Sequence, residues 1–147
     1  MRRVILTPNP YRDRTFEYVA KAAEILDDSG VETRICLPFD VDKAFELPKN
    51  IKFYDLHREI KTADVLICFG GDGTILHASK IATKYRVPIL GVNMGTMGFM
   101  AELEATDLPM LSRLAQGDYR VERRMMLRIT VQNEGKILFD DTALNDA

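Results

Sequence analysis

Val65-Leu66-Ile67-Cys68-Phe69-Gly70-Gly71-Asp72-Gly73-Thr74 is the stretch that decides how this chain folds. An unbroken apolar run that ends in three glycines within four positions reads as a buried strand entering a turn whose main chain is nearly bare. With no Cβ in the way, the backbone turns sharply there and approaches a ligand closely. Asp72 adds one carboxylate to the turn. Residues Thr74 to Lys84 read as a helix, and the unpaired N–H groups and positive dipole end at its start favour a phosphate. Asp72 or Thr74 is placed to cap it.

Residues 3 to 7 (Arg-Val-Ile-Leu-Thr) read as a second buried strand, followed by a polar loop with Asn9, Pro10 and Asp13. Phe16, Val19, Ala20, Ala23 and Leu26 recur at helical spacing, and Gly30 stands where a left-handed cap ends that helix. Val31 to Cys36 and Val87 to Val92 read as further strands, with Pro88 tolerable near a strand start. Residues 37 to 62 are the least legible part, a variable connection with one short helix. Strands alternating with helices predict an α/β fold, a Rossmann-like and mostly parallel sheet with flanking helices. In such sheets ligands bind beyond the carboxyl ends of the strands, where Gly70 to Thr74 falls.

A second glycine-rich turn, Gly91-Val92-Asn93-Met94-Gly95-Thr96-Met97-Gly98-Phe99-Met100, follows the strand that ends at Val92. Two such turns on one sheet face the same crevice. After a helix predicted at Thr106 to Gln116, the pattern changes to alternation. Leu127, Ile129 and Val131 on one arm and Ile137 and Phe139 on the other flank Asn133-Glu134-Gly135, which predicts a hairpin. A lone hairpin is marginal. The expected division is therefore a nucleotide-binding α/β domain over residues 1–121 and the incomplete start of a β-rich domain over 122–147.

With 147 residues, 46% of them apolar and 29% charged, the chain is near the size of one ordinary domain and can bury a core. A net charge of −2 gives no broad basic field for nucleic acid, although Arg120, Arg123 and Arg124 form a small cluster. No segment approaches the roughly 20 apolar residues of a membrane span, and Met1 to Leu6 turns polar too soon for a signal peptide. The expected compartment is the cytoplasm, and neither nucleic acid nor membrane is an expected partner. Cys36 and Cys68 lie in apolar runs without paired spacing, so both read as buried free thiols, and no residue is assigned as a metal ligand.

The first turn is neither a Walker A loop nor a Gly-x-Gly-x-x-Gly dinucleotide fingerprint. Any phosphate contact must come from backbone N–H groups, the Thr74 hydroxyl and a metal. Gly70-Gly71-Asp72-Gly73-Thr74-x-Leu76-x-Ala78, then Asn93-x-Gly95-x-x-Gly98-Phe99, then Asn145-Asp146 resemble the three ordered motifs of the bacterial NAD kinases. The first motif alone is shared with diacylglycerol, sphingosine and phosphofructokinase-type enzymes; the second and third narrow it.

The resemblance implies transfer of the γ-phosphoryl of ATP, or of polyphosphate in some members, to the 2′-hydroxyl of the adenosine ribose of NAD, giving NADP. It implies Mg²⁺ or another divalent cation with the donor, and a homo-oligomer for the full-length protein. Asp72 is then the proton acceptor, a role chemistry supports because a ribose hydroxyl is a poor nucleophile until a carboxylate takes its proton. Gly70, Gly71, Gly73 and Thr74 would cradle phosphate. Asn93, Gly95 and Phe99 belong to the second motif, and Asn145 and Asp146 would hold the ribose and adenine region. His77 lies where relatives often carry Arg, Lys or His against the nucleotide. Relatives continue for about another domain, so the chain reads either as a fragment of such a kinase or as a reduced form. A lipid or sugar kinase of the same superfamily and a catalytically silent nucleotide-binding fragment are the alternatives.

Overall fold

The computed structural model describes residues 1–42, 45–95 and 98–144. Six strands form one parallel sheet: β1 (Arg3–Pro8), β2 (Glu32–Cys36), β3 (Phe53–Tyr54), β4 (Val65–Gly70), β5 (Ile89–Asn93) and β6 (Leu103–Glu104). Their order across the sheet is β3-β2-β1-β4-β5-β6. The chain winds to one side from β1 and then returns to place β4 on its other side, so the connections leaving β1 and β4 diverge and open a crevice at their carboxyl ends. Helices α1 (Glu17–Asp28) and α3 (Asp72–Tyr85) make two of the crossovers, and short α2 (Leu56–Glu59) and α4 (Leu111–Ala115) complete the layers.

The apolar runs of β1 and β4 are continuous because both faces of these strands are covered. Side chains alternate across the sheet. Val4, Leu6, Val65, Ile67 and Phe69 pack with Val19 and Leu26 of α1 and with Leu108 and Leu111, whereas Ile5, Leu66 and Cys68 pack with Ile75, Ala78 and Ala82 of α3. Cys36 and Cys68 are buried free thiols, and burial pushes each up to about 12. At the opposite end of the same two strands the Asp64 carboxylate accepts the N–H groups of Arg2 and Arg3, at 2.6 and 3.0 Å.

Several expected elements take a different form. The helix after the glycine turn begins at Asp72 rather than Thr74. The helix expected over Thr106 to Gln116 is a 3-10 turn over Ala105–Met110 followed by α4, since Pro109 has no N–H to give to an α-helical ladder. Within residues 37 to 62 lie β3 and α2, the latter capped by the Asp55 side chain. The hairpin, β7 (Leu127–Asn133) and β8 (Lys136–Ala143), forms a separate two-stranded sheet. Glu134 and Gly135 both have positive φ, at 49° and 79°, as a two-residue turn requires. A register shift between Val131 and Gln132 sets Phe139 beside Val131 but Ile137 beside Gln132, so the expected apolar alternation does not line one face. Leu127, Val131, Ile137 and Phe139 are exposed. Among the described residues no helix is long and apolar enough to cross a membrane.

Ile67 is fully buried at the centre of the sheet. Ile67→Ala should lower unfolding stability by about 2–5 kcal/mol in urea titration. Val131→Ser on the exposed hairpin should change it by no more than about 0.5 kcal/mol.

Candidate functional site: two glycine turns joined through Asp72

β4 ends at Gly70 and α3 begins at Asp72, so the chain passes from strand to helix through Gly71, which is the helix N-cap and offers no side chain to it. The capping expected of Asp72 or Thr74 does not occur, because both side chains are engaged elsewhere. The Thr74 hydroxyl accepts a hydrogen bond from Asn9 Nδ2 at 3.1 Å. It also lies over Gly70 so closely that a Cβ there would overlap it. At the start of α3 the N–H groups of Asp72 and Gly73 have no intrahelical acceptor, whereas the Thr74 N–H already donates to the Gly71 carbonyl at 2.9 Å.

The Asp72 carboxylate reaches across to the second glycine turn. Oδ2 accepts the Phe99 N–H and Oδ1 the Met100 N–H, each at 3.1 Å. Gly98 passes so close that a Cβ on it would stand 2.8 Å from Asp72 Oδ1. The two turns are thus one structure, held at adjacent strand ends where Gly70 pairs with Asn93 in register. The Met94 N–H, donated to the Gly70 carbonyl at 3.0 Å, adds a second tie.

Asn93 is buried, and its side chain is spent on shaping its own turn. Nδ2 donates to both Glu104 oxygens at 3.2 Å, and Oδ1 accepts the Gly95 N–H at 3.3 Å. Glu104 also closes a reciprocal capping arrangement with Asp107. Phe99 is 88% exposed, so its ring projects from the turn that its N–H anchors. Thr96, Met97, Asn145 and Asp146 lie outside the described residues. Those last two are the third motif of the sequence reading.

Beside the first turn is a cavity of about 340 Å³ lined by Asn9, Arg12, Phe39, Gly71, Gly73, Thr74 and His77. The structure therefore brings Gly71, Gly73, Thr74 and His77 together, with Asp72 and Gly70 in the same turn. The sequence reading missed three of its walls, Asn9, Arg12 and Phe39. The signal available for the first two was their position in the polar loop just after β1, the strand that becomes the neighbour of β4. Phe39 carried no signal; its ring meets the His77 ring edge-on at 5.9 Å and stacks on Tyr11 at 6.2 Å.

The β1–α1 loop is fixed by its own hydrogen bonds. The Asn9 N–H donates to the Phe69 carbonyl, and Arg12 and Asp13 donate to the Asn9 carbonyl. Asp13 is buried, with Oδ2 accepting the Val19 N–H at 3.2 Å and Oδ1 unpartnered. Burial raises its pKa from the ordinary 3.8 despite the opposing backbone hydrogen bonds. The folded chain therefore holds this proton more tightly than the unfolded chain, and the group favours folding below about pH 3.8 and loses that contribution as pH rises through the raised value. Melting temperature followed from pH 3 upward should fall less steeply over that window in Asp13→Asn than in the parent chain.

An open parallel sheet with a glycine-lined cavity at its switch point, beside a helix N-terminus, is the arrangement in which α/β proteins hold phosphate groups and nucleotides. Residues 4–119 match the ATP-NAD kinase N-terminal domain. The chain is 35% identical to the NAD kinase of Corynebacterium diphtheriae over 150 residues, covering 99% of this chain and 47% of that protein. Against the NAD kinase of Moorella thermoacetica the identity is 49% over 89 residues, or 60% of this chain and 28% of that one. The crystal structure of yeast NADH kinase complexed with NADH superposes with a TM-score of 0.65 at 17% identity, covering 97% of this chain and 46% of that one. The chain belongs to the NAD kinase family, and spans about half the length of the relatives it matches along its whole length.

The glycine contacts separate packing from freedom. Gly70→Ala and Gly98→Ala should each destabilise the chain by about 1–3 kcal/mol in thermal melts, since the neighbours they strike are held in place. Gly71, with nothing within 4 Å of a Cβ, should tolerate Ala with a change below about 1 kcal/mol.

Proposed function

We propose that these residues form the donor-binding and proton-accepting part of an NAD kinase site, in which the γ-phosphoryl of ATP passes to the 2′-hydroxyl of the adenosine ribose of NAD and NADP is formed. The observation that carries the proposal is the bridging carboxylate. Asp72 lies in the chain between Gly71 and Gly73, which line the cavity, and its carboxylate reaches the second glycine turn, where each oxygen takes one N–H and keeps a lone pair. In this reading Asp72 accepts the proton of the ribose hydroxyl as that oxygen bonds to phosphorus and the donor's bridging oxygen leaves with the remaining phosphates. Two fixed N–H donors hold the carboxylate in one orientation, so it need not reorganise as the proton arrives.

Gly71 and Gly73 offer backbone N–H groups and Thr74 its hydroxyl to the transferring phosphoryl, since the Thr74 N–H is spent on the Gly71 carbonyl, and His77 with Phe39 flanks the donor. Gly70 keeps the turn tight, and Asn93, Gly95 and Phe99 present the acceptor side. Asn145 and Asp146 are proposed, on their motif, to hold the ribose and adenine of NAD. Among the described residues no three His, Cys, Asp or Glu side chains converge into a metal cage. A divalent cation brought with the donor would be carried mainly by phosphate oxygens, as Mg²⁺ usually is, and its contribution when bound would be charge neutralisation. Polyphosphate in place of ATP remains a donor within this reading.

The same reading takes small-molecule nucleotides as partners, without nucleic acid or membrane, and a homo-oligomer for the full-length protein. A cytoplasmic location is supported by two buried cysteines left as free thiols. We divide the chain into a nucleotide-binding domain over 1–121 and the opening of a β-rich domain over 122–147, a division supported by the separate hairpin sheet with its exposed apolar residues.

NADP formation from ATP, Mg²⁺ and NAD tests the function, with NADP read by an NADP-specific dehydrogenase. Diacylglycerol and fructose 6-phosphate serve as competing acceptors, and phosphorylation of either in place of NAD would contradict the proposal. Asp72→Asn should lower NADP formation by about a hundredfold or more, the usual contribution of a general base. Turnover equal to the parent's would remove Asp72 from the mechanism.

A further inference from the structure

We infer that Arg12, on the β1–α1 loop, binds the phosphate chain of the donor, supplying the permanent positive charge that the glycine turn itself lacks. The inference rests on the cavity being the donor site. The residues lining that cavity offer backbone amides, an amide side chain, a hydroxyl, two rings and, in Arg12, one guanidinium. Backbone N–H groups orient a phosphate well but neutralise little of its charge, and a triphosphate carries several negative charges. Among the described residues Arg12 makes no ion pair, and although arginines 2, 14, 58, 86, 120 and 123 make none either, Arg12 is the one of these that lines the cavity. An unpaired guanidinium facing a cavity of amide donors is held for an anion from outside.

The position of Arg12 is built rather than accidental. Its N–H donates to the Asn9 carbonyl at 3.0 Å, and the Asn9 side chain is tied to the Thr74 hydroxyl of the first glycine turn. Its guanidinium lies alongside the second glycine turn, where a Cβ on Gly95 would come within 3.3 Å of Nη1. One loop thus spans both turns, and Gly95 leaves the room through which the guanidinium passes. Next to it, Asp13 turns its carboxylate to the start of α1, accepting the Val19 N–H, and is not spent on Arg12. A planar fork with parallel N–H donors suits two oxygens of a phosphate chain better than a lysine ammonium does.

Titration calorimetry of this 147-residue chain with inorganic tripolyphosphate and with ATP tests the assignment. Arg12→Ala should weaken both ligands by about tenfold or more, as expected for loss of a charge-assisted bond pair. Arg12→Lys should recover part of that loss, and the thermal melt of both variants should match the parent, which separates binding from folding. Binding by the parent chain with equal affinity in Arg12→Ala would overturn the role of Arg12 and leave the donor site standing. Failure of the parent chain to bind either ligand at millimolar concentration would overturn the donor site and the role of Arg12 with it. NADP formation enters neither result.

Discussion

The pair of hydrogen bonds from the Phe99 and Met100 N–H groups to the Asp72 carboxylate is the constraint on which the rest of the site depends. Without it the two glycine turns are tied only where the Met94 N–H meets the Gly70 carbonyl at the strand ends. With it, the carboxylate has a fixed direction, the second turn has a fixed height above the sheet, and the crevice between them has two walls. Gly98 is glycine because it passes the carboxylate at a distance no Cβ tolerates, and Gly70 because the Thr74 hydroxyl fills the space beside it. The glycines that a sequence reading credits to ligand approach thus have a second origin, in the packing of the turns against each other.

That constraint is possible because of the sheet order. β4 lies between β1 and β5, and all three end at the same edge. Loops from three strands therefore meet there: the Asn9 to Asp13 loop, the Gly70 to Thr74 turn and the Asn93 to Met100 turn. Asn9 joins the first to the second through Thr74, and Asp72 joins the second to the third. Hydrophobic burial on both faces of the sheet fixes the strand ends, and a handful of polar contacts then fixes the loops relative to one another.

The parts legible in the sequence were those with periodic burial or special backbone chemistry. Val65 to Phe69 announced a strand covered on both faces, Gly30 a left-handed helix end with φ 76°, and Glu134-Gly135 a hairpin turn. β3 and β6 have two residues each, too few for any period to register. Asn9 and Arg12 were visible only as loop residues, because their importance comes from β1 lying beside β4, a fact of topology rather than of local pattern. Asn93 was legible as part of a motif, but its side chain points to Glu104, eleven residues on, and no spacing rule foretells that. The register shift at Val131 was likewise invisible, since one extra residue in a strand leaves the composition unchanged.

Asp72 carries the central claim, that a single carboxylate both holds the second turn and meets the reacting hydroxyl. A crystal structure of the chain with NAD bound tests it directly. The account predicts the 2′-hydroxyl of the adenosine ribose within hydrogen-bonding reach of an Asp72 oxygen, about 2.6–3.2 Å, with the Phe99 and Met100 N–H bonds still in place. An adenosine ribose held elsewhere, or an Asp72 carboxylate buried under the second turn with no path to the ligand, would contradict it.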